Sequence, residues 1–162
     1  MLIEGLEALN GYSYSKEKKE NYVQYMDECN HAQWYEVNGI DLGITNIDRA
    51  FQTVKELSES GLSVVVYCVS AVTGRIEDVE KELIKRIEDE FSELKVMIVL
   101  TMCYKDEVQE AIDEIEKLTD QVKLVVTLAK AYKTGMKDAE GNPVIIEPFG
   151  LEMVSEYVFE GR

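Results

Sequence analysis

The chain contains few of the residues that form disulfides, zinc sites or histidine-based catalytic sites. Its 162 residues include three cysteines, Cys29, Cys68 and Cys103, and a single histidine, His31. Because the cysteines are odd in number, widely spaced and without a CxxC pair, we expect a reducing, cytoplasmic environment and interpret Cys68 and Cys103 as packing residues. One histidine cannot build a metal site, and His31 is predicted to be an exposed turn residue.

Long apolar runs and an excess of positive charge are also missing. No run approaches the roughly 18 residues that a membrane-spanning helix needs, so the longest ones, 62–69 and 96–100, are predicted to be core strands. The formal net charge of −15 repels phosphodiester backbones and anionic lipids. We therefore expect neither nucleic acid nor a membrane as a partner. A mononucleotide remains compatible, because helix N-termini and backbone amides bind phosphate whatever the net charge.

The composition is typical of one intracellular α/β domain. With 46% hydrophobic residues, the chain is long enough for one sizeable core and too short for two ordinary domains. We predict a single domain, 1–162, in four parts: an N-terminal helix and linker (1–20), a hairpin (21–38), strand–helix repeats (39–131), and a loop with a C-terminal helix (132–162).

Apolar periodicity predicts the order of helices and strands. The helix after 39–43 is expected to begin near Thr45 or Asn46 and to end at Ser60-Gly61. Residues at helical spacing are predicted to face inward along three helices: Ile47, Ala50, Phe51, Val54 and Leu57; Ile76, Val79, Leu83, Ile87 and Phe91; Val108, Ala111, Ile112, Ile115 and Leu118.

The strands between these helices predict the fold class. The segments 62–69 and 96–100 are apolar on both faces, as a sheet covered by helices on both sides requires, and 122–127 is predicted to be a third strand. Strand–helix alternation with short links implies parallel pairing. We predict an α/β fold with a three-layer, doubly wound, mostly parallel sheet and an antiparallel N-terminal hairpin. The segment 132–149 is expected to be an ordered loop or a small hairpin, followed by a helix over 151–159.

In such sheets, ligands bind at the loops that follow the carboxyl ends of the strands. Three of these loops read EVNGID (36–41), LTMCY (100–104) and TLAK (127–130). In this order they resemble the successive motifs of the P-loop GTPases, over about residue 22 to the C-terminus. The resemblance implies GTP or GDP with Mg²⁺ as the ligands.

The first loop resembles the second-switch motif DxxG of that family. The resemblance places Glu36 at the acid that reaches magnesium through water, and Gly39 at the amide that senses the γ-phosphate. Glu36 is one methylene longer than the usual aspartate.

The second loop is similar to the family's N/TKxD motif, whose aspartate binds guanine. Thr101 is retained, whereas Met102 stands at the lysine position and Tyr104 at the aspartate position. The bidentate acceptor for guanine is therefore missing in this register, and a shifted loop would use Asp106 instead. The third loop is similar to the SAK motif, with Ala129 and Lys130 beside the base.

The phosphate-binding motif GxxxxGK[ST] occurs nowhere in the sequence. In the family, this loop follows a central strand, which would lie between the strands represented here by 34–37 and 62–69. We therefore expect a degenerate GTPase-like binding or interaction module without autonomous hydrolysis, with a protein partner or a second copy pairing at the incomplete sheet. One alternative is a GTPase completed by a phosphate loop from another chain or from an upstream segment. The other is an α/β domain with a non-nucleotide ligand.

Overall fold

A computed structural model describes residues 14–27, 33–37, 44–71, 76–103, 108–119 and 122–159, together with Leu6 and Leu9. The chain divides into two compact units, Leu6–Ser63 and a second one that combines Met1–Gly5 with Val64–Arg162. In the described residues, no helix is both long and apolar enough to cross a membrane.

The first unit contains a three-stranded antiparallel sheet. Its strands are β1 (Tyr14–Lys18), β2 (Tyr22–Asp27) and β3 (Gln33–Val37), in the order β1-β2-β3. The pairing of β2 with β3 confirms the predicted hairpin. The prediction of a linker at 14–18 was wrong, because β1 carries Lys16, Glu17 and Lys18 and lacks the apolar alternation that indicates a strand.

The sheet is followed by α1 (Ile44–Glu59), whose predicted inward face is partly confirmed. Ala50 and Phe51 are buried, while Ile47, Val54 and Leu57 are half-buried. The helix ends as predicted, because Gly61 adopts a positive φ of 100° and its N–H bonds to the carbonyl of Ser58. Of the predicted opening helix, Leu6 and Leu9 are helical and only Leu6 is buried.

The second unit is built on a three-stranded parallel sheet. The chain runs through β4 (Val64–Ser70), α2 (Asp78–Glu90), β5 (Lys95–Thr101), α3 (Gln109–Leu118) and β6 (Lys123–Val126). The strand order is β4-β5-β6, and both pairings are parallel. The predicted strand–helix alternation and parallel pairing are therefore confirmed.

One face of this sheet packs against α2 and α3. Val69, Ile98 and Leu100 on the strands form a buried cluster with Ile84 of α2 and Ile115 of α3. Helix α2 places Leu83, Ile84 and Ile87 inside, whereas Val79 is 39% exposed. The prediction that Val79 faces inward was wrong: Ile76, just before the helix, and Ile84 belong to the buried cluster, whereas Val79 does not.

The second face of the parallel sheet is buried as well. Met97, Val99 and Val125 alternate with the residues of the first face and are almost fully buried. Lys95 lies on this second face with Met97, and its Nζ is 5.3 Å from the ring centre of Tyr157 in α4 (Leu151–Phe159). This contact places that part of α4 on the side opposite to α2 and α3.

A two-stranded hairpin lies between β6 and α4. Strands β7 (Tyr132–Lys137) and β8 (Pro143–Ile146) pair antiparallel, so of the two expectations, an ordered loop or a small hairpin, the structure has the hairpin. In its turn, the carboxylate of Asp138 accepts hydrogen bonds from the N–H groups of Glu140 (3.0 Å) and Asn142 (2.8 Å). Gly141 supplies the positive φ of 84° that the turn needs.

Candidate functional site

The carboxyl ends of β5 and β6 form the candidate site. Thr101 is the last residue of β5, and its hydroxyl donates to the carbonyl of Val69 on β4 at 3.3 Å. Leu100 is in register with Val126, so the loops after β5 and β6 leave the sheet at neighbouring positions. The structure therefore brings Thr101 to the same edge of the sheet as the segment that carries Ala129 and Lys130.

The backbone turns sharply directly after β5. Met102 has a φ of 59°, and it is the only described non-glycine residue with positive φ. This conformation costs roughly 1–2 kcal/mol in a residue with a Cβ. The turn lets the N–H of Cys103 donate to the carbonyl of Thr127 at 3.1 Å. Met102 occupies the position at which the sequence resemblance expects lysine.

The loop after β6 is held to β5 by a buried threonine. The N–H and the hydroxyl of Thr127 both donate to the carbonyl of Leu100, at 2.8 and 2.9 Å. Leu128 then exchanges two backbone hydrogen bonds with Phe149, each 3.0 Å long. Ala129 is half-buried and Lys130 is exposed at this anchored end. These bonds fix where the segment with Ala129 and Lys130 begins.

Cys103 fits packing better than nucleophilic chemistry. The residue is buried, and its thiol donates to the carbonyl of Leu100 at 3.5 Å. Burial raises the pKa of the Cys103 thiol, which outweighs the opposing effect of the hydrogen bond to the backbone of Thr127. The thiol therefore stays neutral near pH 7, in agreement with the packing role expected from the sequence.

The predicted second-switch residues belong to the first unit. Glu36 lies on β3 with an exposed side chain, and the hydroxyl of Tyr25 donates to its carboxylate at 2.8 Å. Gly39 lies outside the described residues, as do Tyr104 and Asp106. Within the described residues, no group of three acidic, cysteine or histidine side chains is placed to hold a metal ion. The magnesium role of Glu36 remains a prediction.

A carboxylate fixes the end of the loop that follows β4. Glu114 on α3 accepts a hydrogen bond from the N–H of Ile76 at 3.2 Å and another from Nζ of Lys81 at 3.1 Å. The bond to Lys81 is the largest cause of the lowered pKa of Glu114, and it also raises the pKa of Lys81. The two hydrogen bonds together join α3 to α2 and to the end of this loop.

Sequence reasoning missed three residues that shape this edge of the sheet: Met102, Thr127 and Gly150. Gly150 has a φ of 82°, and a Cβ there would collide with the carbonyl of Val126 and contact Thr127. One indication of this special role was present in the sequence, because Gly150 follows Pro148 and directly precedes α4. Nothing in the sequence indicated the positive φ of Met102.

The comparisons with known proteins give no relative. No protein-family model matches the chain, and neither a curated protein nor a solved structure matches it. The likeness to P-loop GTPases rests on the three loop motifs, and the ligand, metal and activity that it implies remain predictions.

Proposed function

We propose that the protein is a degenerate GTPase-like domain that acts as a binding or interaction module and does not hydrolyse GTP by itself. The observation that carries the proposal is the division of its strands. Strands β1–β3 form one sheet and β4–β6 another, and no described pairing joins β3 to β4. The resemblance puts the missing strand, with its phosphate loop, between these two strands in the sheet. The full three-layer, doubly wound fold belongs to the same proposal.

The loops at the carboxyl ends of β5 and β6 support a weakened nucleotide site. Thr101, Ala129 and Lys130 belong to neighbouring strand ends of one sheet, where such folds bind ligands. Met102 and Tyr104 replace the lysine and aspartate that give guanine specificity in the family. Without a phosphate loop, the amide cradle, the phosphate lysine and a magnesium ligand are all missing. Binding to a protein partner is therefore better supported than turnover.

Two other functions compete with this proposal. In the first, a phosphate loop from another chain completes a GTPase, with Glu36 and Gly39 at the second switch and Mg²⁺ as the metal. In the second, the strand ends bind a ligand that is not a nucleotide. The anchored segment that follows Thr127 supports both alternatives, because a rigid loop at this edge suits any small ligand.

Calorimetric titration of the purified chain with GTP, GDP and ATP in magnesium tests the proposal. We expect no heat of binding at micromolar nucleotide and no phosphate release. Micromolar binding of GTP or GDP would contradict the module, and magnesium-dependent turnover after addition of a chain bearing the phosphate loop would favour the completed GTPase. If another metabolite stabilises the protein and guanine nucleotides do not bind, the result would favour the binding of a ligand that is not a nucleotide. The reducing conditions of the proposed cytoplasmic location should be kept throughout.

A further inference from the structure

The hairpin of β7 and β8 turns one of its faces towards solvent. In its register, Lys133 lies opposite Ile145, and Lys137 lies opposite Pro143. Side chains of directly opposed residues stand on the same face of a sheet. All four are exposed, whereas Val144, which points to the other face, is half-buried. The outward face of the hairpin therefore combines two lysines with two apolar residues.

A register shift in the hairpin brings the two lysines close together. Between the two pairs, β7 advances from 133 to 137 while β8 advances only from 145 to 143. The shorter strand sets the spacing, so Lys133 and Lys137 stand about 7 Å apart along the hairpin, whereas a regular strand would separate them by about 13 Å. Gly135 supplies a positive φ of 78° within the shift. Two positive charges thus share a small area of surface.

The residues that the structure describes do not neutralise these two charges. Neither Lys133 nor Lys137 forms a hydrogen bond or an ion pair with a described residue, whereas Lys81 has carboxylate partners. Asp138, next to Lys137, uses its carboxylate to accept the N–H bonds of the turn. β7 and β8 contain no acidic residue, while every described helix has more acidic than basic residues. This face is therefore a local positive site in a chain of net charge −15.

Exposed apolar side chains are concentrated in the same part of the chain. Seven large apolar residues are exposed among the described residues, and five of them lie within 132–153: Tyr132, Met136, Ile145, Phe149 and Met153. Met136 is the most exposed of them, at 64%, and it directly precedes Lys137. Exposed apolar residues bordered by charged ones are typical of surfaces that bind other proteins.

Hydrogen bonds fix the hairpin at its base, in its middle and at its turn. Leu128 and Phe149 exchange two backbone bonds at the base. In the middle, the hydroxyl of Thr134 donates to the carbonyl of Val144 at 2.8 Å. At the turn, the N–H of Asp138 donates to the carbonyl of Asn142 at 2.9 Å. The outward face is thus formed before a partner binds, which lowers the entropy cost of binding.

From this face we propose that the hairpin binds an acidic segment of a partner protein, whose carboxylates pair with Lys133 and Lys137 and whose apolar side chain packs on Ile145. The inference rests on the proposed role as an interaction module and names the chemistry of its partner. Residues i and i+2 of an extended strand present two carboxylates on one face, about 7 Å apart. An extended segment with acidic residues at alternate positions therefore matches the spacing of the lysines.

The size and charge of the face favour a protein segment over other polyanions. A nucleic acid or an anionic membrane carries charge over a much larger area, and the net charge of −15 repels it. A short acidic segment needs only the two lysines, and it also offers an apolar side chain to Ile145. Because exposed charge pairs contribute little each, the binding is expected to be weak and transient.

Fluorescence anisotropy of a labelled peptide in which glutamate alternates with valine tests this binding on the whole chain at 0.15 M salt. We expect saturable binding, and none by the same peptide with glutamine in place of glutamate. Lys133→Glu should weaken binding at least about fivefold, and Ile145→Ser about threefold. Lys85→Glu, at an exposed position of α2, is the matched control. It makes the same change in net charge and should alter the affinity by less than about twofold, because salt screens distant charges.

Acetylation of the unmodified chain gives a second measurement that does not depend on the variants folding. Limiting acetic anhydride modifies accessible lysines, and mass spectrometry of the digested chain measures the rate at each one. Lys133 and Lys137 should react in the free chain at about the rate of Lys85, and at least about threefold more slowly with saturating peptide. The rate at Lys85 should not change when the peptide binds.

Several outcomes overturn the inference. They are no peptide binding up to about 1 mM, equal binding of the glutamine peptide, and a loss for Lys85→Glu as large as that for Lys133→Glu. Slow acetylation of Lys133 and Lys137 without peptide also overturns it, because another part of this chain would then cover the face. Tighter binding of single-stranded DNA or of anionic vesicles at these lysines would assign the face to a different partner.

The nucleotide titration is independent of these measurements, because none of the outcomes above changes its result. Conversely, GTP binding with turnover would contradict the proposed function and leave the peptide titration as it stands.

Discussion

At the scale of single residues, Glu114 on α3 joins two other segments of the second unit. Its carboxylate joins the backbone of Ile76 and the ammonium of Lys81, and the lowered pKa of Glu114 reflects these bonds. A carboxyl whose pKa is lower in the folded state stabilises the fold above its unfolded pKa, about 4.5. This contribution is lost as the pH falls through the folded pKa.

Glu114→Gln should therefore lower the urea midpoint at pH 7, with the slope unchanged. The difference from the unmodified chain should shrink as the pH falls below about 4.5 and the carboxyl is protonated in both states. Urea unfolding measured by circular dichroism at several pH values checks this. Glu116→Gln, exposed on the same helix, should have little effect at any pH. A difference that stays constant down to the acid range would rule out the charge as its cause.

Gly150 is required for two reasons, its backbone conformation and the space around it. Gly150→Ala should lower the free energy of unfolding by about 2–4 kcal/mol, because it adds a left-handed penalty and a collision with the carbonyl of Val126. Gly135→Ala is the matched control, since Gly135 has a φ of 78° and open space around it. It should cost only about 1 kcal/mol. Equal losses in the two variants, measured by urea unfolding, would show that the collision is relieved.

At the scale of elements, α2 is the clearest test of which helix face meets the sheet. Ile84 is 1% exposed and packs in the cluster with Val69, Ile98 and Ile115. Ile84→Ala should destabilise the fold by about 2–5 kcal/mol through the buried cavity it leaves. Val79→Ala, on the exposed first turn, should change the free energy by less than about 0.5 kcal/mol. Thermal and urea unfolding of both variants compare the two positions directly, and a larger loss for Val79→Ala would mean that the helix is rotated.

At the scale of the whole molecule, the negative charge is the dominant feature. With a net charge of −15, like charges repel one another in the compact state. Raising sodium chloride from low to moderate concentration should therefore increase Tm by about 2–5 °C. Differential scanning calorimetry measures this, with potassium chloride as the control that separates screening from specific sodium binding. A Tm that falls with salt would mean that attractive charge pairs outweigh the repulsion.

Local pattern predicted most elements of both units. Strands β4 and β5 were predicted from runs that are apolar on both faces, and α1 to α3 from apolar residues at helical spacing. These signals are local, because burial of one face or of both requires a fixed periodicity. β1 was missed, since its exposed, charged residues depend on pairing with β2 and not on burial. Thr101, Ala129 and Lys130 were singled out by the resemblance of their loops to P-loop GTPase motifs and not by periodicity, and their binding roles remain predictions.

The sequence by itself therefore determined the alternation of strands and helices, the parallel pairing and the negative net charge, because these follow from periodicity, connection length and composition. Only the tertiary structure decided the positive φ of Met102, the bonds that Glu114 makes to Ile76 and Lys81, and the close approach of Gly150 to β6. Each of these depends on which distant segments meet in space. No local pattern of residues contains that information.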